Sequence, residues 1–142
     1  TAEFFGVDRI CFVGVTPYPA LKSGDDRLPH IVEKLNKQIK KVSLGAEDNL
    51  ELEHFDTLEE LVIKLKSEGL EIVGLEQDPV SVNLDDFKFN SKNVALVLGE
   101  ETKGLNFEEL SAVDRIIEIP RIGKKESLNV SVAFGVAISR LN

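Results

Sequence analysis

The C-terminal segment, residues 119–141, constrains the fold of this chain more than any other stretch. A short apolar run ends at Pro120, which lacks a backbone donor and therefore closes a strand readily. Gly123 permits a tight turn, and Ser127 is the expected N-cap of the next helix. The residues beyond are almost all apolar, which predicts a buried helix rather than one lying on the surface. A Ser-x-Asn pair thus stands between a strand and a buried helix, where α/β sheets bind their ligands.

The rest of the chain alternates strand and helix patterns, which predicts a mostly parallel α/β layer fold. Strands are expected at residues 9–15, 50–55, 70–75, 94–98 and 115–119. Helices are expected around residues 31–39, after a capping box of Thr57 and Glu60 with a stop at Gly69, and after Asn106 and Glu109. A mobile loop is expected at residues 17–29, and an irregular polar connection at residues 77–93.

Length and composition set the broad class of the protein. At 142 residues the chain has the size of about one domain, and its single cysteine excludes an intramolecular disulfide. A formal net charge of −8 argues against a protein that coats nucleic acid with a generally positive surface. Without a signal peptide or an apolar run near the ~18 residues of a membrane span, a soluble, cytoplasmic protein is expected. The chain starts at Thr1 and has no methionine, which indicates a processed chain or a fragment.

Several familiar catalytic patterns are missing from the sequence. Gly99 and Gly104 have the spacing of a phosphate-binding loop, but Leu105 stands where the lysine belongs. No Gly-x-Ser-x-Gly elbow is present. His30 and His54 have no partners at ligand spacing, so no metal site is expected.

Two glycine-bearing loops remain, each at the C-terminal end of an apolar strand. Residues 98–105 read Leu-Gly-Glu-Glu-Thr-Lys-Gly-Leu, and residues 119–129 read Ile-Pro-Arg-Ile-Gly-Lys-Lys-Glu-Ser-Leu-Asn. Either loop alone is typical of an ordinary strand-end turn before a capped helix. The two loops together, at this spacing, are a more specific signal than either loop alone.

Together the two loops resemble the SpoU (TrmH-type) RNA ribose 2′-O-methyltransferases of the SPOUT superfamily. The second motif of that family, Leu-Gly-x-Glu-x-x-Gly-Leu, is matched by residues 98–105. The third, Ile-Pro-x-x-Gly-x-x-x-Ser-Leu-Asn-Val-Ser-Val-Ala, is matched without a gap by residues 119–133. Residues 43–47 and 72–77 also look like family segments, so the likeness covers essentially the whole chain.

The resemblance implies an α/β-knot domain over residues 1–142, with a mostly parallel sheet, helices on both faces and a deep C-terminal trefoil knot. It also implies a homodimer packed through the knot, and S-adenosylmethionine held in a bent shape by backbone groups of the knotted loops. By position these loops are residues 75–76, 98–104 and 119–123, with Leu128. The expected cofactor contacts are Leu75, Leu98, Gly99, Gly104, Ile119, Ile122 and Leu128.

The resemblance also implies roles for three polar residues. Asn129 would bind the ribose or orient a catalytic arginine, Ser127 would help to position that group, and Glu101 would fix its loop and a basic partner. Without the resemblance, Ser127 is an ordinary N-cap and Glu101 an exposed acid. The family's arginine belongs to a first motif, Asn-x-Gly-x-x-x-Arg, contributed across the dimer. This sequence lacks that motif, and residues 1–6 look like the segment directly after it, so the N-terminal portion of the domain is expected to be missing.

The expected substrate is a ribose 2′-hydroxyl in tRNA or rRNA, with no metal and no membrane involved. RNA binding needs basic groups, and the cluster expected to ring the pocket is Lys103, Arg121, Lys124 and Lys125. The lysines of residues 34–41 would extend it. Two alternatives remain: a non-catalytic RNA- or nucleotide-binding module that keeps the knot fold, and, less favoured, a methyltransferase that acts on a base.

Overall fold

A computed structural model describes residues 1–100 and 102–141 and divides into two compact units, residues 1–61 and residues 62 onward. The mixture of parallel strands and helices confirms the predicted α/β class. The prediction that residues 1–142 form one methyltransferase domain stays a prediction.

The first unit is built on a pair of parallel strands. It contains, in chain order, a 3-10 turn (Glu3–Phe5), β1 (Arg9–Val13), α1 (Pro29–Ser43), a second 3-10 turn (Ala46–Asn49) and β2 (Glu51–Phe55). β1 and β2 pair in parallel from Arg9 opposite Glu51 to Val13 opposite Phe55. α2 (Leu58–Ser67) starts after β2, and the Thr57 hydroxyl accepts a hydrogen bond from the Glu60 N–H at 3.2 Å, as the capping pattern predicts.

The second unit contains a four-stranded parallel sheet. Its elements are β3 (Glu71–Leu75), β4 (Val82–Asn83), a 3-10 turn (Leu84–Asp86), β5 (Val94–Leu98), α3 (Phe107–Ala112), β6 (Arg115–Glu118) and α4 (Val130–Leu141). The strand order is β4-β6-β3-β5, and every pair is parallel. The carboxyl ends of β3, β5 and β6 therefore meet at one edge of the sheet.

The core of the second unit lies around β3, which has a strand on each side and whose five residues are all buried. Its continuous apolar sequence is typical of a central parallel strand. The buried core comprises Val73, Leu75, Leu84, Ile117 and Ala137. Leu84 belongs to the segment predicted to be irregular and polar. That prediction is wrong in part, since the segment also forms the short strand β4.

The start of α4 differs from the prediction. The N-cap is Asn129 and not Ser127, because the Asn129 Oδ1 accepts from the Ser131 N–H at 2.9 Å and from the Ser131 hydroxyl at 2.5 Å. Asparagine and serine cap helices about equally well. Cap propensity alone therefore does not distinguish the two residues.

α4 is also less buried than its sequence predicts. Among its described residues only Ala137 is fully buried, and Val132 is 51% exposed. One side of the helix, with Ala133, Val136 and Leu141, packs against the core of the second unit. The rest of α4 is at least partly exposed, so the apolar sequence alone did not predict how much of this helix is buried.

The loop between β1 and α1 was predicted to be mobile, but Arg27 connects several of its residues by hydrogen bonds. Its guanidinium donates to the Tyr18 carbonyl at 2.9 Å, the Pro19 carbonyl at 2.8 Å and the Asp25 carboxylate at 2.7 Å. Hydrogen bonding to Arg27 lowers the pKa of Asp25 from 3.8 to about 2. The loop is therefore held by charge-assisted hydrogen bonds.

We predict that truncating the core at Ile117 destabilises the protein far more than the same truncation on its surface. Ile117 is fully buried, so Ile117→Ala should lower the free energy of unfolding by about 2–5 kcal/mol. The control is Ile63→Ala in α2, where the side chain is 64% exposed and the loss should stay within about 0.5 kcal/mol. Urea denaturation measures both. Equal losses would contradict the placement of the core.

The ion pair predicts a specific response to acid. Because the folded-state pKa of Asp25 lies below its ordinary value, the pair contributes stability above pH 3.8 that is lost as the pH falls towards 2. In Arg27→Gln the pKa of Asp25, followed by NMR, should return towards 3.8. Arg121→Gln removes an exposed arginine of the second unit and should leave this titration unchanged. A normal Asp25 pKa with Arg27 in place would refute the pairing.

Candidate functional site

A cleft of about 500 Å³ opens at the carboxyl ends of β3, β5 and β6. Its walls come from the residues directly after these strands and from the first turns of α4. In parallel sheets this edge is the usual ligand position, and the volume suits a small molecule.

The residues expected to contact the cofactor all line this one cleft: Leu75, Leu98, Gly99, Gly104, Ile119, Ile122 and Leu128. Ser127 lines it as well, whereas Asn129 does not. Glu101 lies outside the described residues. The structure thus brings together residues from three separate loops, and their contact with a cofactor stays a prediction.

The two glycines of the loop after β5 are in direct backbone contact. A Cβ atom on Gly99 would lie 2.2 Å from the carbonyl carbon of Gly104 and 2.5 Å from the backbone nitrogen of Leu105. Gly104 has a φ of +65° and donates its N–H to the Glu100 carbonyl at 2.9 Å. Only residues without side chains permit this approach, so the loop folds tightly and presents backbone to the cleft.

Glu76 ties this loop to the sheet, a role that sequence reasoning did not assign although it placed Glu76 among the cleft loops. Its Oε2 accepts from the Leu105 N–H at 2.8 Å, and its Oε1 accepts from the Gln77 N–H at 2.9 Å. Its own N–H donates to the Ile117 carbonyl at 3.0 Å. A Cβ on Gly104 would meet the Glu76 Oε2 at 2.1 Å, so the glycine makes room for this carboxylate.

The cleft has a buried apolar floor and an exposed apolar rim. Leu75, at the floor, is only 9% exposed. At the rim Leu128 is 47% exposed and Ile122 is fully exposed. A bound ligand that covered these two side chains would remove apolar surface from water, which favours binding.

The charges around the cleft are balanced among the residues described. Three basic residues line it, Lys103, Arg121 and Lys125, and so do three acidic ones, Glu76, Glu100 and Glu126. The Lys103 ammonium pairs with the Glu100 carboxylate at 3.2 Å. Lys124, the fourth member of the expected basic cluster, is exposed and is not part of this lining.

The two described polar candidates differ in their hydrogen bonding. Ser127 is exposed, and its hydroxyl has no hydrogen-bond partner within residues 1–100 and 102–141. The Asn129 Oδ1 holds the N-terminus of α4 through two hydrogen bonds to Ser131. Asn129 therefore caps α4, and the Ser127 hydroxyl makes none of the hydrogen bonds that an N-cap would make.

The described residues contain neither a metal-binding cluster nor a membrane-spanning helix. Within the part of the chain that the structure describes, no group of three or more His, Cys, Asp or Glu side chains could hold a metal ion. Within that same part, no helix has the length and apolar character needed to span a bilayer.

Comparison with known proteins gives the family. The model of the SpoU rRNA Methylase family matches residues 27–139, which include all three loops that line the cleft. This chain belongs to the SpoU methylase family. The two glycine-bearing loops after β5 and β6 lie within the matched residues and line the cleft.

Individual SpoU relatives carry RNA methyltransferase names. The chain is 34% identical over 114 residues to the tRNA (guanosine(18)-2′-O)-methyltransferase of Borreliella burgdorferi, covering 79% of this chain and 52% of that protein. It is 33% identical over 108 residues to the 23S rRNA (guanosine-2′-O-)-methyltransferase RlmB of Escherichia coli K12, covering 74% and 42% respectively. The chain thus spans about half the length of these two relatives.

Solved structures show the same fold. The A. aeolicus TrmH/SpoU tRNA modifying enzyme matches with a TM-score of 0.73 at 24% identity, over 98% of this chain and 62% of the other. An AdoMet-bound rRNA methyltransferase from Sinorhizobium meliloti matches with a TM-score of 0.73 at 22% identity, over 98% and 47%. The chain has the α/β fold of the SpoU/TrmH methyltransferases. The trefoil knot stays a prediction.

We predict that a methyl group at Gly99 disrupts the cleft, whereas one at Gly123 does not. The Cβ of Gly99→Ala would overlap backbone atoms that cannot move aside cheaply, so a loss of about 1–3 kcal/mol in unfolding free energy is expected. Gly123 also lines the cleft, but a Cβ there meets no atom within 4 Å. Urea denaturation and amide exchange over residues 99–105 compare the two. An undisturbed Gly99→Ala would contradict the described packing.

Proposed function

We propose that this chain is the methyltransferase part of an enzyme that transfers a methyl group from S-adenosylmethionine to a ribose 2′-hydroxyl in tRNA or rRNA. The observation that carries the proposal is the gathering of all seven predicted cofactor residues around one cleft. The names of the SpoU relatives support the RNA substrate, and the AdoMet-bound neighbour supports the cofactor.

The cleft suits a compact nucleoside ligand. The contact of Gly99 with Gly104 leaves backbone rather than side chains at the cleft wall. Within the described residues, the backbone of residues 121–128 makes no hydrogen bond, so its N–H and C=O groups are available to a ligand. The apolar floor would bury an adenine ring, and S-adenosylmethionine, when bound, supplies a methyl group on a positively charged sulfur.

The residues of this chain would orient the reacting groups and keep water out. Orientation in near-attack geometry contributes about 7–11 kcal/mol in favourable cases. We propose that the Ser127 hydroxyl positions the ribose or the group that removes its proton. The Asn129 Oδ1 caps α4, and the contact of Asn129 with the ribose or with a catalytic arginine stays a prediction. The arginine implied by the family resemblance is not among residues 1–142.

We also propose that the protein forms a homodimer through the knot region and that it lies in the cytoplasm. The exposed apolar side chains of Val132 in α4 and of Phe107 support a partner surface in the second unit. Burying them would remove apolar surface from water. Sedimentation of the purified protein tests this part, and a monomer at all concentrations would refute it.

The alternative is a non-catalytic module that binds RNA or nucleotides and keeps the fold. A cleft lined by backbone, apolar side chains and equal numbers of acidic and basic groups among the described residues suits a nucleotide whether or not transfer follows. Calorimetric titration with S-adenosylmethionine and a methyl-transfer assay on bulk RNA, both with the full-length protein, separate the two. Binding of S-adenosylmethionine with methyl transfer supports the enzyme, and binding without transfer supports the module. If S-adenosylmethionine does not bind, the cleft is not a site for this cofactor in either proposal.

The cleft variants give this test a matched pair. Gly99→Ala should weaken S-adenosylmethionine binding by about tenfold or more, equivalent to about 1.4 kcal/mol, because it displaces the backbone that forms the wall. Gly123→Ala should stay within about twofold, since its methyl group meets no neighbouring atom. Equal affinities in the two variants would place the cofactor elsewhere.

We further predict that Ser127 acts on transfer rather than on cofactor binding. Ser127→Ala should lower the transfer rate by about a hundredfold, the scale of lost acid–base assistance, with the affinity for S-adenosylmethionine nearly unchanged. Ser23→Ala, which removes an exposed hydroxyl from the first unit, is the control and should leave both quantities as they are. If Ser127→Ala transfers methyl groups at the normal rate, Ser127 has no catalytic role.

A further inference from the structure

Helix α1 carries apolar side chains that the rest of its unit leaves uncovered. Leu28, the residue before the helix, is 60% exposed, Ile31 is 41% exposed and Val42 is 82% exposed. Val32 and Ile39 lie on another part of the helix surface and are half-buried. The proposed methyl transfer assigns no role to the exposed side chains, and covering them with a further apolar surface would be favourable.

The exposed side chains follow the heptad pattern of a helix that packs against a second helix. The residues at separations of three, four, three and four, as positions a and d of two heptads are, are Leu28, Ile31, Leu35, Gln38 and Val42. They form one stripe along the helix, with the half-buried Leu35 at its middle. We call these five residues the heptad seam. Only Gln38 among them is polar, so a partner helix would meet a mainly apolar surface.

Two lysines flank the heptad seam. Lys34 and Lys41 directly precede Leu35 and Val42 and so occupy g positions, whose side chains face the flanks of a partner helix. Both lysines are exposed, and neither has an ionic partner among the residues that the structure describes. Glu33, the one acidic residue of α1, occupies an f position on the far side of the helix. No carboxylate of α1 therefore shares the flank that these lysines occupy.

A second copy of this chain is a poor partner for the heptad seam. Two α1 helices packed antiparallel would place g positions opposite one another, so Lys34 and Lys41 would face lysines. Two α1 helices packed in parallel would place each lysine opposite an e position, where the apolar, half-buried Val32 and Ile39 stand. Neither arrangement supplies a carboxylate to the lysines. Because like charges across an interface repel, the charge pattern fits a different chain with acidic flanks.

We propose that α1 docks an amphipathic helix of a partner protein, with the apolar stripe of that helix on the heptad seam and its acidic side chains against Lys34 and Lys41. An amphipathic helix that lays its apolar face on an apolar surface is a recurring mode of recognition. Two heptads are short for a pair of free helices, but α1 is already folded, so only the partner loses backbone conformational entropy. The inference uses no residue of the cleft in the second unit and does not depend on methyl transfer.

Two designed peptides test the heptad seam on the full chain. Both have three heptads with leucine at a and d and a fluorescent label, and they differ only in carrying glutamate or lysine at e and g. Fluorescence anisotropy should show binding of the glutamate peptide that is tighter by about tenfold or more. A chain of net charge −8 attracts the lysine peptide at long range, so the opposite preference has to come from local lysines. Equal binding, a preference for the lysine peptide, or no binding of either peptide overturns the proposal.

Charge reversal at the flank should exchange this preference. Lys34→Glu/Lys41→Glu should weaken binding of the glutamate peptide by about tenfold or more and favour the lysine peptide, because both g positions then repel glutamate. Lys37→Glu reverses a charge at a c position of the same helix, farther from the seam, and should keep the preference of the unmodified chain. Lys88→Glu/Lys92→Glu makes the same change in total charge at two exposed sites of the second unit and should keep it too. An unchanged preference in the first variant, or an exchanged one in either control, overturns the proposal.

Further measurements test the apolar part of the seam and the other possible occupants. Val42→Ser should weaken binding of the glutamate peptide by about tenfold, whereas Val80→Ser, at a valine of the second unit that is 74% exposed, should leave it unchanged. Equal affinities in these two variants overturn the proposal. Amide NMR shifts in α1 with oligouridylate, but none with the glutamate peptide, would assign the lysines to RNA and overturn it. Self-association that is lost in Val42→Ser would assign the seam to a second copy and overturn it as well.

Discussion

The cleft of the second unit depends on a close contact between main-chain segments, stabilised by one carboxylate. Gly99 and Gly104 meet with no room for a Cβ, and the Glu76 carboxylate occupies the space beside Gly104 while it accepts from Leu105. These contacts hold the loop after β5 against the ends of β3 and β6. A side chain at either glycine, or the loss of the acceptor, would release the loop. The shape of the site is thus set by backbone atoms and not by a set of catalytic side chains.

Charge is organised locally in this protein, and the total of −8 says little about the cleft or about α1. In the second unit the lining acids and bases balance within the described residues, which suits a ligand that carries charges of both signs. In the first unit, Lys34 and Lys41 lie beside the heptad seam of α1. At physiological ionic strength exposed charges are largely screened beyond about 8 Å, so the potential at each of these surfaces is set mainly by the groups nearest to it.

The strands and most helix starts could be predicted because their signals are local. The apolar runs gave β3, β5 and β6 within about a residue or two, and the Asn106–Glu109 pair forms the capping box that its spacing predicts. The cap of α4 was misplaced because Ser127 and Asn129 are equally good N-caps. The role of Glu76 was missed because Leu105, to which it bonds, lies 29 residues away in the sequence.

By itself the sequence determined the parallel α/β class, because apolar periodicity is a property of the linear chain. Its two loop motifs also resembled a family, and that resemblance implied the residues around the main cleft. Only the tertiary structure decided which glycines touch, that Glu76 locks the loop, that Asn129 caps α4 and leaves the Ser127 hydroxyl unbonded, and that Tyr18, Arg27 and His54 stack in the first unit. Each of these depends on groups brought within a few ångströms by folding, and a one-dimensional pattern does not contain those distances.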